Sequence, residues 1–297
     1  MIKKIIPAFL LLCATACNQP PEKMKNMTWP DVQPPVAAII PTERVIHEDT
    51  VTDNYCWMAD YFKKGPLSKK VVDYLKAENS YTDTMMSGTR TLQDSLFHEL
   101  KSRIREKDES VPVFYNGYYY YTRTEEGQQY FKYCRRKDSL QAPEELLLDV
   151  DELAKGHAYF AVSNFSISPD NNLLAYGVDD VSRRQYTLHI KNLATGEVLK
   201  DAIRNTDGKA VWAADNKTIF YTAKNPVTLL GEKIKRHQLN TDPAQDVVVY
   251  EEKDNTNYIN VSRAKSGKYI FIRSAGTLSS EIRMIRSDRP QDAFKVF

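Results

Sequence analysis

The distribution of hydrophobic residues divides the chain into a shorter helical region and a longer region of short apolar runs. From Val111 onward the runs are rich in β-branched and aromatic side chains, and they are bounded by Gly, Pro, Asn, Asp and Ser. Runs of this kind are typical of β-strands joined by tight turns. They fall into four consecutive groups, each containing four predicted strands.

The four groups repeat at a nearly regular distance. The runs are VPVFY, GYYYYTR, QYFKYCRRK and ELLLDV; FSIS, LLAYGVD, YTLHIKNL and EVLK; AVWA, TIFYTAK, KIKRHQL and DVVVYEE; and INVSR, YIFIRS, EIRMIRS and FKVF. The turn residues Asp170, Asp215 and Gly267 stand at matching places in the last three groups, in steps of 45 and 52 residues. Four short strands repeated at about 40–50 residues predict a β-propeller.

Four consecutive tyrosines, Tyr118–Tyr121, support this fold. Successive strand residues point to opposite faces, so both faces of this strand carry aromatic rings. Propeller blades are covered on both faces, whereas a β-sandwich, the alternative all-β fold, leaves one face of each sheet to solvent. The predicted fold class is mostly β: about four blades of a propeller, preceded by an extended arm and an α-helical segment. Since propellers normally close with more blades, we expect the sequence to be part of a longer chain.

Before the predicted strands, apolar residues recur at helical spacing. A helix is predicted to begin near Ser68, and Gly88 interrupts the pattern. A second apolar stripe recurs every four residues and consists of Leu92, Leu96, Leu100 and Ile104. Residues 36–60 lack this period and are predicted to form an irregular extended arm. Amphipathic helices bury their apolar side, and the sequence leaves open whether this side packs on its own domain or on a partner.

The first seventeen residues carry a targeting pattern. Lys3 and Lys4 precede an apolar run that starts at Ile5, and small residues then lead to Cys17. This order predicts a secretory signal peptide, and the run is too short to span a bilayer as a helix. Ala-Thr-Ala-Cys at 14–17 resembles a bacterial lipoprotein box, so Cys17 is the predicted lipidation site. Plain signal cleavage is the alternative.

Either form of processing predicts an exported protein. A lipid on Cys17 would anchor it in the bacterial envelope, on the periplasmic side or at the cell surface. Residues 1–17 would then be the lipoprotein signal peptide and residues 18–35 a polar, proline-bearing tether. Residues 36–110 would form the N-terminal arm and helices, and residues 111–297 the partial propeller.

Composition and charge exclude several other classes. The 297 residues carry a formal net charge of +2, without the concentrated basic face that a nucleic-acid partner requires. Cys56 and Cys134 are the cysteines left after processing; one pair is not a disulfide framework, although export permits a bridge. Their spacing, without neighbouring histidines, does not fit a zinc site. No Gly-rich phosphate loop is present, and no cofactor or metal is predicted.

Several stretches resemble oligopeptidase B, a branch of the prolyl oligopeptidase family of serine peptidases. They run from about residue 34 to residue 275 and are PPVAAIIP, DNYCWMAD, YLKAENSYTD, ELKSRIREKDESVPV, GYYYYTR, YCRRK, APEELLLD, GHAYF, SISPDNNLLAYGVD, RRQYTLHIKNLATGE, WAADNKTIFYT and VYEEKDNTNYINVSRAKSGKYIFI. YCRRK and GHAYF point to the B branch rather than to prolyl oligopeptidase proper.

The resemblance implies a role in a larger peptidase. In that family an N-terminal arm and helices pack against a C-terminal α/β-hydrolase domain, and a seven-bladed propeller covers the active site and admits short peptides. The resemblance further implies cleavage after Lys or Arg, by a catalytic Ser, Asp and His that lie in the C-terminal domain. That domain is absent from this chain, whose residues would gate substrate access and dock the missing domain.

The chain itself shows no catalytic constellation. It contains no Gly-x-Ser-x-Gly nucleophile elbow. Asp179-Asp180 and Glu251-Glu252 are interpreted as solvated turns. The five histidines, for which spacing suggests no Ser or Asp partner, are His47, His98, His157, His189 and His237. No catalytic, cofactor-binding or metal-ligating residue is therefore predicted, and the chain alone is expected to be inactive. The alternatives are a stand-alone propeller-like lipoprotein that binds a peptide or a partner protein, and a truncated, inactive product.

Overall fold

A computed structural model describes residues 28–60, 65 and 67–297. The predicted signal peptide, Cys17 and most of the predicted tether lie outside the described residues. The chain divides into two compact units, the first ending at Ile104 and the second spanning Arg105–Phe297. Within the described ranges, none of the helices has both the length and the apolar character needed to cross a membrane.

The arm in the first unit contains a β-hairpin that the sequence pattern does not predict. Strand β1 (Thr42–Ile46) pairs antiparallel with β2 (Asp49–Asp53) over their whole length. His47 and Glu48 form the turn, with φ angles of 51° and 68°. Two successive left-handed residues are usually supplied by Asn-Gly, so this sequence carries no recognisable hairpin signal.

Two helices follow the arm. A 3₁₀ turn at Cys56–Ala59 precedes helix α1 (Ser68–Met85), and a second 3₁₀ turn at Ser87–Thr89 separates α1 from helix α2 (Arg90–Ser102). The interruption falls at Gly88, as the sequence predicts.

The two helices differ in how they are packed. Trp57 is buried beside α1: its Nε1–H donates to the carbonyl oxygen of Ala38 at 2.9 Å, and its ring meets Tyr74 edge-on at 6.3 Å. The ammonium of Lys70 lies 5.5 Å from the same ring. In α2, by contrast, all 13 residues are exposed. The first unit therefore anchors α1 but leaves the apolar stripe of α2 uncovered.

The second unit, which the structure describes throughout, consists of four groups of antiparallel strands. The strands are β3 (Val113–Tyr115), β4 (Tyr118–Arg123), β5 (Lys132–Lys137), β6 (Glu144–Asp149), β7 (Ala161–Ile167), β8 (Leu173–Asp179), β9 (Tyr186–Asn192), β10 (Ile203–Thr206), β11 (Val211–Trp212), β12 (Thr218–Lys224), β13 (Gly231–Gln238), β14 (Val247–Glu251), β15 (Tyr258–Arg263), β16 (Tyr269–Ala275), β17 (Ser280–Arg286) and β18 (Lys295–Val296). A short helix α3 (Val150–Ala154) follows β6, and a 3₁₀ turn (Pro243–Gln245) precedes β14.

Each group of four strands is one blade built from a continuous stretch of chain. Blade 1 contains β3–β6, blade 2 contains β7–β10, blade 3 contains β11–β14, and blade 4 contains β15–β18; consecutive strands of a blade are hydrogen-bonded neighbours. One further pair, Thr206 opposite Ala223, joins β10 to β12 and links blade 2 to blade 3. The predicted fold class is confirmed: these are blades of a partial propeller.

The hydrophobic core lies between successive blades. Each of three clusters joins residues from two neighbouring blades, and their central members are Leu147, Leu148, Leu174 and Tyr176 for blades 1 and 2; Ala175, Leu188, Trp212, Ile219 and Tyr221 for blades 2 and 3; and Phe220, Ile234, Ile259, Val261, Ile270 and Ile272 for blades 3 and 4. Neighbouring residues of one strand enter different clusters, since their side chains leave opposite faces of the sheet. The inner strands are therefore buried on both faces.

The fourth strand of blade 2 lies later in the chain than predicted. EVLK, at 197–200, makes only an isolated bridge in which Val198 stands opposite Lys191. The chain then pairs further along β9, where Ile203 stands opposite Leu188, and β10 forms there. The prediction of a strand at EVLK is wrong because the Thr195-Gly196 turn brings this segment back beside β9 for a short distance only.

The second unit also begins earlier than the predicted boundary between residues 110 and 111. The Ser110 amide donates to the carbonyl oxygen of Thr122 at 2.8 Å, and the Thr124 amide donates to that of Asp108 at 2.9 Å. These bonds join residues 108–110 to the end of β4 and its following turn, so this segment belongs to blade 1.

Candidate functional site

The first strands of the four blades surround one cavity. It has a volume of about 440 Å³ and is lined by Val113, Tyr115, Tyr120, Phe165, Ser166, Ile167, Ala210, Val211, Trp212 and Arg263. The first strand of blade 3 contacts the first strands of blades 2 and 4. Because propeller blades surround a central channel, this cavity lies in the channel wall, at the end where each first strand enters its turn.

The aromatic wall of the cavity is fixed by contacts between blades. The ring of Phe165 stacks on Tyr133 at 5.1 Å and meets the edge of Tyr120 at 6.3 Å. The buried indole of Trp212 donates its Nε1–H to the carbonyl oxygen of Ser166 at 3.0 Å. These contacts hold blades 1, 2 and 3 together at the cavity, so the wall is formed before any ligand arrives.

Among the described residues that line the cavity, Arg263 alone is charged. It is half-buried, and its Nε and Nη2 donate to the carbonyl oxygen of Gly267 at 3.2 and 3.0 Å. Gly267 has a φ of 72°, a left-handed conformation that suits glycine at a hairpin turn. The turn between β15 and β16 therefore holds the guanidinium in place without neutralising it.

The outer face of blade 1 carries a network of charged side chains. Tyr121 donates to Glu144 Oε2 at 2.6 Å and accepts from Arg136 Nε at 2.9 Å, and Arg123 Nη2 pairs with Glu144 Oε1 at 2.9 Å. Burial and the bond to Glu144 raise the pKa of Tyr121 to about 12. A cleft of about 920 Å³ on this face is lined by both signs of charge, including Arg105, and so favours no single class of charged ligand.

A buried histidine lies between blades 2 and 3. His237 Nε2 is 2.9 Å from Asp201 Oδ1, and its Nδ1 is 2.6 Å from Asp246 Oδ1. Tyr221 donates to the second oxygen of Asp246 at 2.7 Å. Burial alone would lower the pKa of His237, but the bonds to Asp246 and Asp201 outweigh burial and raise it. The imidazole is fully buried, so this cluster joins two blades and is not open to a substrate.

These contacts correct two interpretations based on the sequence pattern. Spacing suggests no Asp partner for the histidines, yet the fold gives His237 two; loops from separate strands bring Asp201 and Asp246 to it. Asp179 is not a solvated turn residue: it is buried, and its carboxylate accepts from the amides of Val181 at 3.0 Å and Arg184 at 2.6 Å.

In the second acidic pair, Glu251 is an exposed, solvated residue, as interpreted from the sequence, whereas Glu252 is not. Glu251 is exposed and pairs with Lys233 at 3.1 Å, as expected for a solvated residue. Glu252 accepts from Ser274 and from the Tyr250 hydroxyl; burial opposes ionisation, but these bonds prevail and lower its pKa to about 2. It is therefore a structural carboxylate that ties the end of blade 3 to blade 4.

The other chemically reactive side chains do not assemble into a site. Cys56 and Cys134 are free thiols, and burial raises the pKa of Cys134 to about 11. His47 and His98 are exposed. Among residues 28–60, 65 and 67–297, no group of His, Cys, Asp or Glu side chains is arranged to hold a metal ion.

The run pattern alone does not indicate the cavity residues, although the sequence contains a signal for them. The turns align the blades along the sequence, and the residue that ends each first strand stands just before such a turn. Those residues are Tyr115, Ile167, Trp212 and Arg263, and all four line the cavity.

Comparison with known proteins defines the class of this chain. Residues 34–297 match the family described as prolyl oligopeptidase, N-terminal beta-propeller domain. Dipeptidyl aminopeptidase BI of Pseudoxanthomonas mexicana is 38% identical, over 96% of this chain and 41% of its own length. Protease 2 of Moraxella lacunata is 32% identical, over 86% of this chain and 37% of its own length.

Solved structures agree with this assignment. Oligopeptidase B from Leishmania major has a TM-score of 0.81 and 28% identity, covering 89% of this chain and 39% of that one. Oligopeptidase B from Trypanosoma brucei, in a closed form with covalently bound antipain, has a TM-score of 0.79 and 25% identity with the same coverage. The chain belongs to the prolyl oligopeptidase family, in the part that forms the N-terminal propeller domain. It spans about two fifths of the length of these relatives.

Proposed function

We propose that this chain is the propeller-bearing portion of an exported serine peptidase similar to oligopeptidase B, which cleaves short peptides after Lys or Arg. The observation that carries the proposal is the match of residues 34–297 to the family's N-terminal propeller domain. The relatives named as an aminopeptidase and a protease support a peptidase. In this role the blades admit short peptides through the channel and exclude folded proteins.

The uncovered helix α2 supports a docking role for the first unit. Its apolar stripe includes Leu92, Leu96 and Leu100, which are 59%, 48% and 62% exposed, and Phe97 beside them is 63% exposed. A contiguous apolar surface of this kind marks an interaction site. We propose that the stripe binds the catalytic α/β-hydrolase domain.

Co-expression tests this role directly. The chain is produced with the part of the Pseudoxanthomonas relative that follows the matched region, and the pair is isolated by affinity and size-exclusion chromatography. We expect a complex that hydrolyses an Arg-containing fluorogenic peptide, whereas the chain alone has no activity because it contains no nucleophile elbow. The double variant Leu96→Glu/Leu100→Glu should lose the complex, since a charged stripe cannot be buried without a partner charge.

A matched control uses the opposite face of the same helix. The double variant Thr91→Glu/Ser95→Glu adds the same charge to exposed positions and should retain the complex. If the chain is monodisperse and recruits no hydrolase domain, the docking role is wrong, and the stand-alone binding lipoprotein becomes the favoured function.

Export and lipid anchoring are a separate part of the proposal. The sequence supports them through the pattern that ends at Cys17. Metabolic labelling with an alkyne fatty acid should mark the wild-type protein in the membrane fraction, and Cys17→Ser should abolish the label. A labelled Cys17→Ser variant, or an unlabelled wild type, would exclude lipidation at this residue.

A further inference from the structure

We infer that the channel cavity binds the C-terminal residue of a peptide, with its apolar side chain against the aromatic wall and its carboxylate at Arg263. This inference deepens the proposed function, on which it rests, by naming a peptide class. It concerns a part of the substrate that extends into the propeller.

The size and lining of the cavity fit an apolar side chain. Its volume of about 440 Å³ lies within the range of roughly 300–1,000 Å³ that is typical of small-ligand sites. The aromatic wall is formed by Tyr120, Phe165 and Trp212, which are already fixed by contacts between blades. An aromatic or branched side chain would therefore bury apolar surface here without rearranging the protein.

Arg263 gives the cavity a positive end. On β15 it shares a face with Ile259 and Val261, which pack against blade 3, so its side chain is directed toward that blade and the cavity. Its described hydrogen bonds go to one carbonyl oxygen, and no carboxylate in residues 28–60, 65 and 67–297 lies within ion-pair distance. Unused guanidinium N–H groups favour a carboxylate, which accepts two parallel hydrogen bonds.

A second cavity continues the positive charge. It has a volume of about 500 Å³, and Arg263 borders it together with Lys268 and Arg286. Arg286 is paired with Asp288 at 2.7 Å, whereas no ion pair of Lys268 occurs within the described part of the chain. An anion placed at Arg263 therefore borders a cavity that also contains Lys268, a cation without an ion pair among the described residues, and the neutralised pair Arg286–Asp288.

The closeness of these two features selects the C-terminal residue of a peptide. Only there do a side chain and a free carboxylate share one Cα atom, so both can reach adjacent parts of the cavity. An internal acidic residue would instead bring two polar peptide groups against the apolar wall, where they would lack hydrogen-bond partners.

The test measures binding to the 297-residue chain without catalysis. The probes are N-acetyl-glycyl-phenylalanine, its C-terminal amide, N-acetyl-glycyl-glycine and inorganic phosphate, and binding is measured by calorimetry. We expect the phenylalanine acid to bind at least tenfold more tightly than the amide and the glycine acid. Equal binding of acid and amide, no binding, or phosphate binding as tightly as the peptide would overturn the proposal.

Variants of Arg263 assign the preference to one group. Arg263→Gln should bind acid and amide equally, whereas Arg263→Lys should retain a preference for the acid. Arg289→Gln removes one exposed charge from the same blade and should bind like the wild type. If Arg263→Gln does not fold, Arg263→Lys and the wild-type ligand series still decide the matter.

The outcome is independent of the docking experiment. A chain that recruits no catalytic domain but prefers the acid retains the cavity proposal and loses the peptidase role. A chain that forms an active complex but does not distinguish acid from amide retains the peptidase role and loses the cavity proposal.

Discussion

Strands β12 and β16 have similar sequences, TIFYTAK and YIFIRSA, and occupy the same place in blades 3 and 4. In β12 the residues Thr218–Thr222 are all buried, whereas in β16 buried residues alternate with residues that are half-buried or exposed. The difference appears at Phe220 and Phe271. Phe220 is fully buried and meets Phe294 edge-on at 5.6 Å, while Phe271 lies on the outer face of blade 4.

This difference shows that position in the arc, and not residue type, determines burial in these blades. Blade 3 has a neighbour on each face, so successive residues of β12 enter different clusters. Blade 4 has a neighbour on one face, and its second strand acquires the alternating burial of a half-exposed sheet. The same phenylalanine therefore contributes differently to stability in the two strands.

The outer face of blade 1 deals with exposure in a different way. There the aromatic Tyr121 is covered by Arg136 and bonded to Glu144. On the same face, however, Phe114 contacts Tyr119 and is 57% exposed. Blade 4 instead leaves Phe271 and Tyr269 half-buried, with their rings 6.5 Å apart. Both ends of the arc therefore expose aromatic side chains, and blade 1 in addition covers Tyr121 with a network of charged side chains.

The largest expected effect comes from truncating the two phenylalanines. Phe220→Ala should lower the free energy of unfolding by about 3–5 kcal/mol, since it leaves a cavity between blades. Phe271→Ala should lower it by only about 1 kcal/mol, because a half-buried ring leaves no enclosed cavity. Urea denaturation of the 297-residue chain measures both.

A control for this pair uses the preceding residue of each strand, whose side chain points to the opposite face of the sheet. Ile219→Val and Ile270→Val remove one methylene from clusters that are covered in both blades, and should each cost about 1 kcal/mol. Equal losses from the two phenylalanine variants would show that blade 4 is covered on its outer face in solution.

The second prediction compares two ionised clusters: the buried one around His237, which lies between blades 2 and 3, and the one around Glu144 on the open outer face of blade 1. His237→Gln should lower the free energy of unfolding by about 3 kcal/mol or more, because it leaves Asp201 and Asp246 buried without a cation. Glu144→Gln on the outer face of blade 1 should cost about 1 kcal/mol or less, since solvent reaches that network. Similar losses would contradict the distinction between covered and open faces.

The same histidine should make stability depend on pH. Its pKa is raised above the ordinary value of 6.5, so its contribution is complete below pH 6.5 and is lost as the pH rises through the folded-state pKa. Burial instead lowers the pKa of His189, with Asp180 partly opposing, so that residue favours stability above pH 6.5 and the effect is lost as the pH falls. The free energy of unfolding is measured between pH 5 and 9 for the wild type, His237→Gln and His189→Gln. The difference between wild type and His237→Gln should fall as the pH rises, whereas the difference between wild type and His189→Gln should grow.

The sequence predicts the blades well because short β-rich runs and turn residues are local features. The break at Gly88 and most strands of blades 1, 3 and 4 lie where the pattern indicates. The sequence gives no signal for the hairpin at His47-Glu48, because its turn is made by two residues that rarely adopt the left-handed conformation. The strand β10 is displaced because its pairing with β9 depends on the whole loop after the Thr195-Gly196 turn.

The candidate site is less predictable because it depends on residues far apart in sequence. Phe165, Trp212 and Arg263 come from three blades, and nothing in the runs around them indicates that they line one cavity. The two Asp partners of His237 likewise come from loops that only the fold brings together. A turn-based alignment locates the ends of the first strands, but the fold is needed to show that they meet.

The smallest expected effect concerns the turns that join the second and third strands of blades 3 and 4. Val227 is 83% exposed in blade 3, and Leu278 is 97% exposed in blade 4, so these turns do not share the difference between the strand faces. Val227→Ser and Leu278→Ser should each change the free energy of unfolding by less than about 0.5 kcal/mol. Urea denaturation measures both. A larger loss for Val227→Ser alone would mean that the turn of blade 3 is also covered. The difference in burial between blades 3 and 4 would then extend beyond their strand faces to their turns.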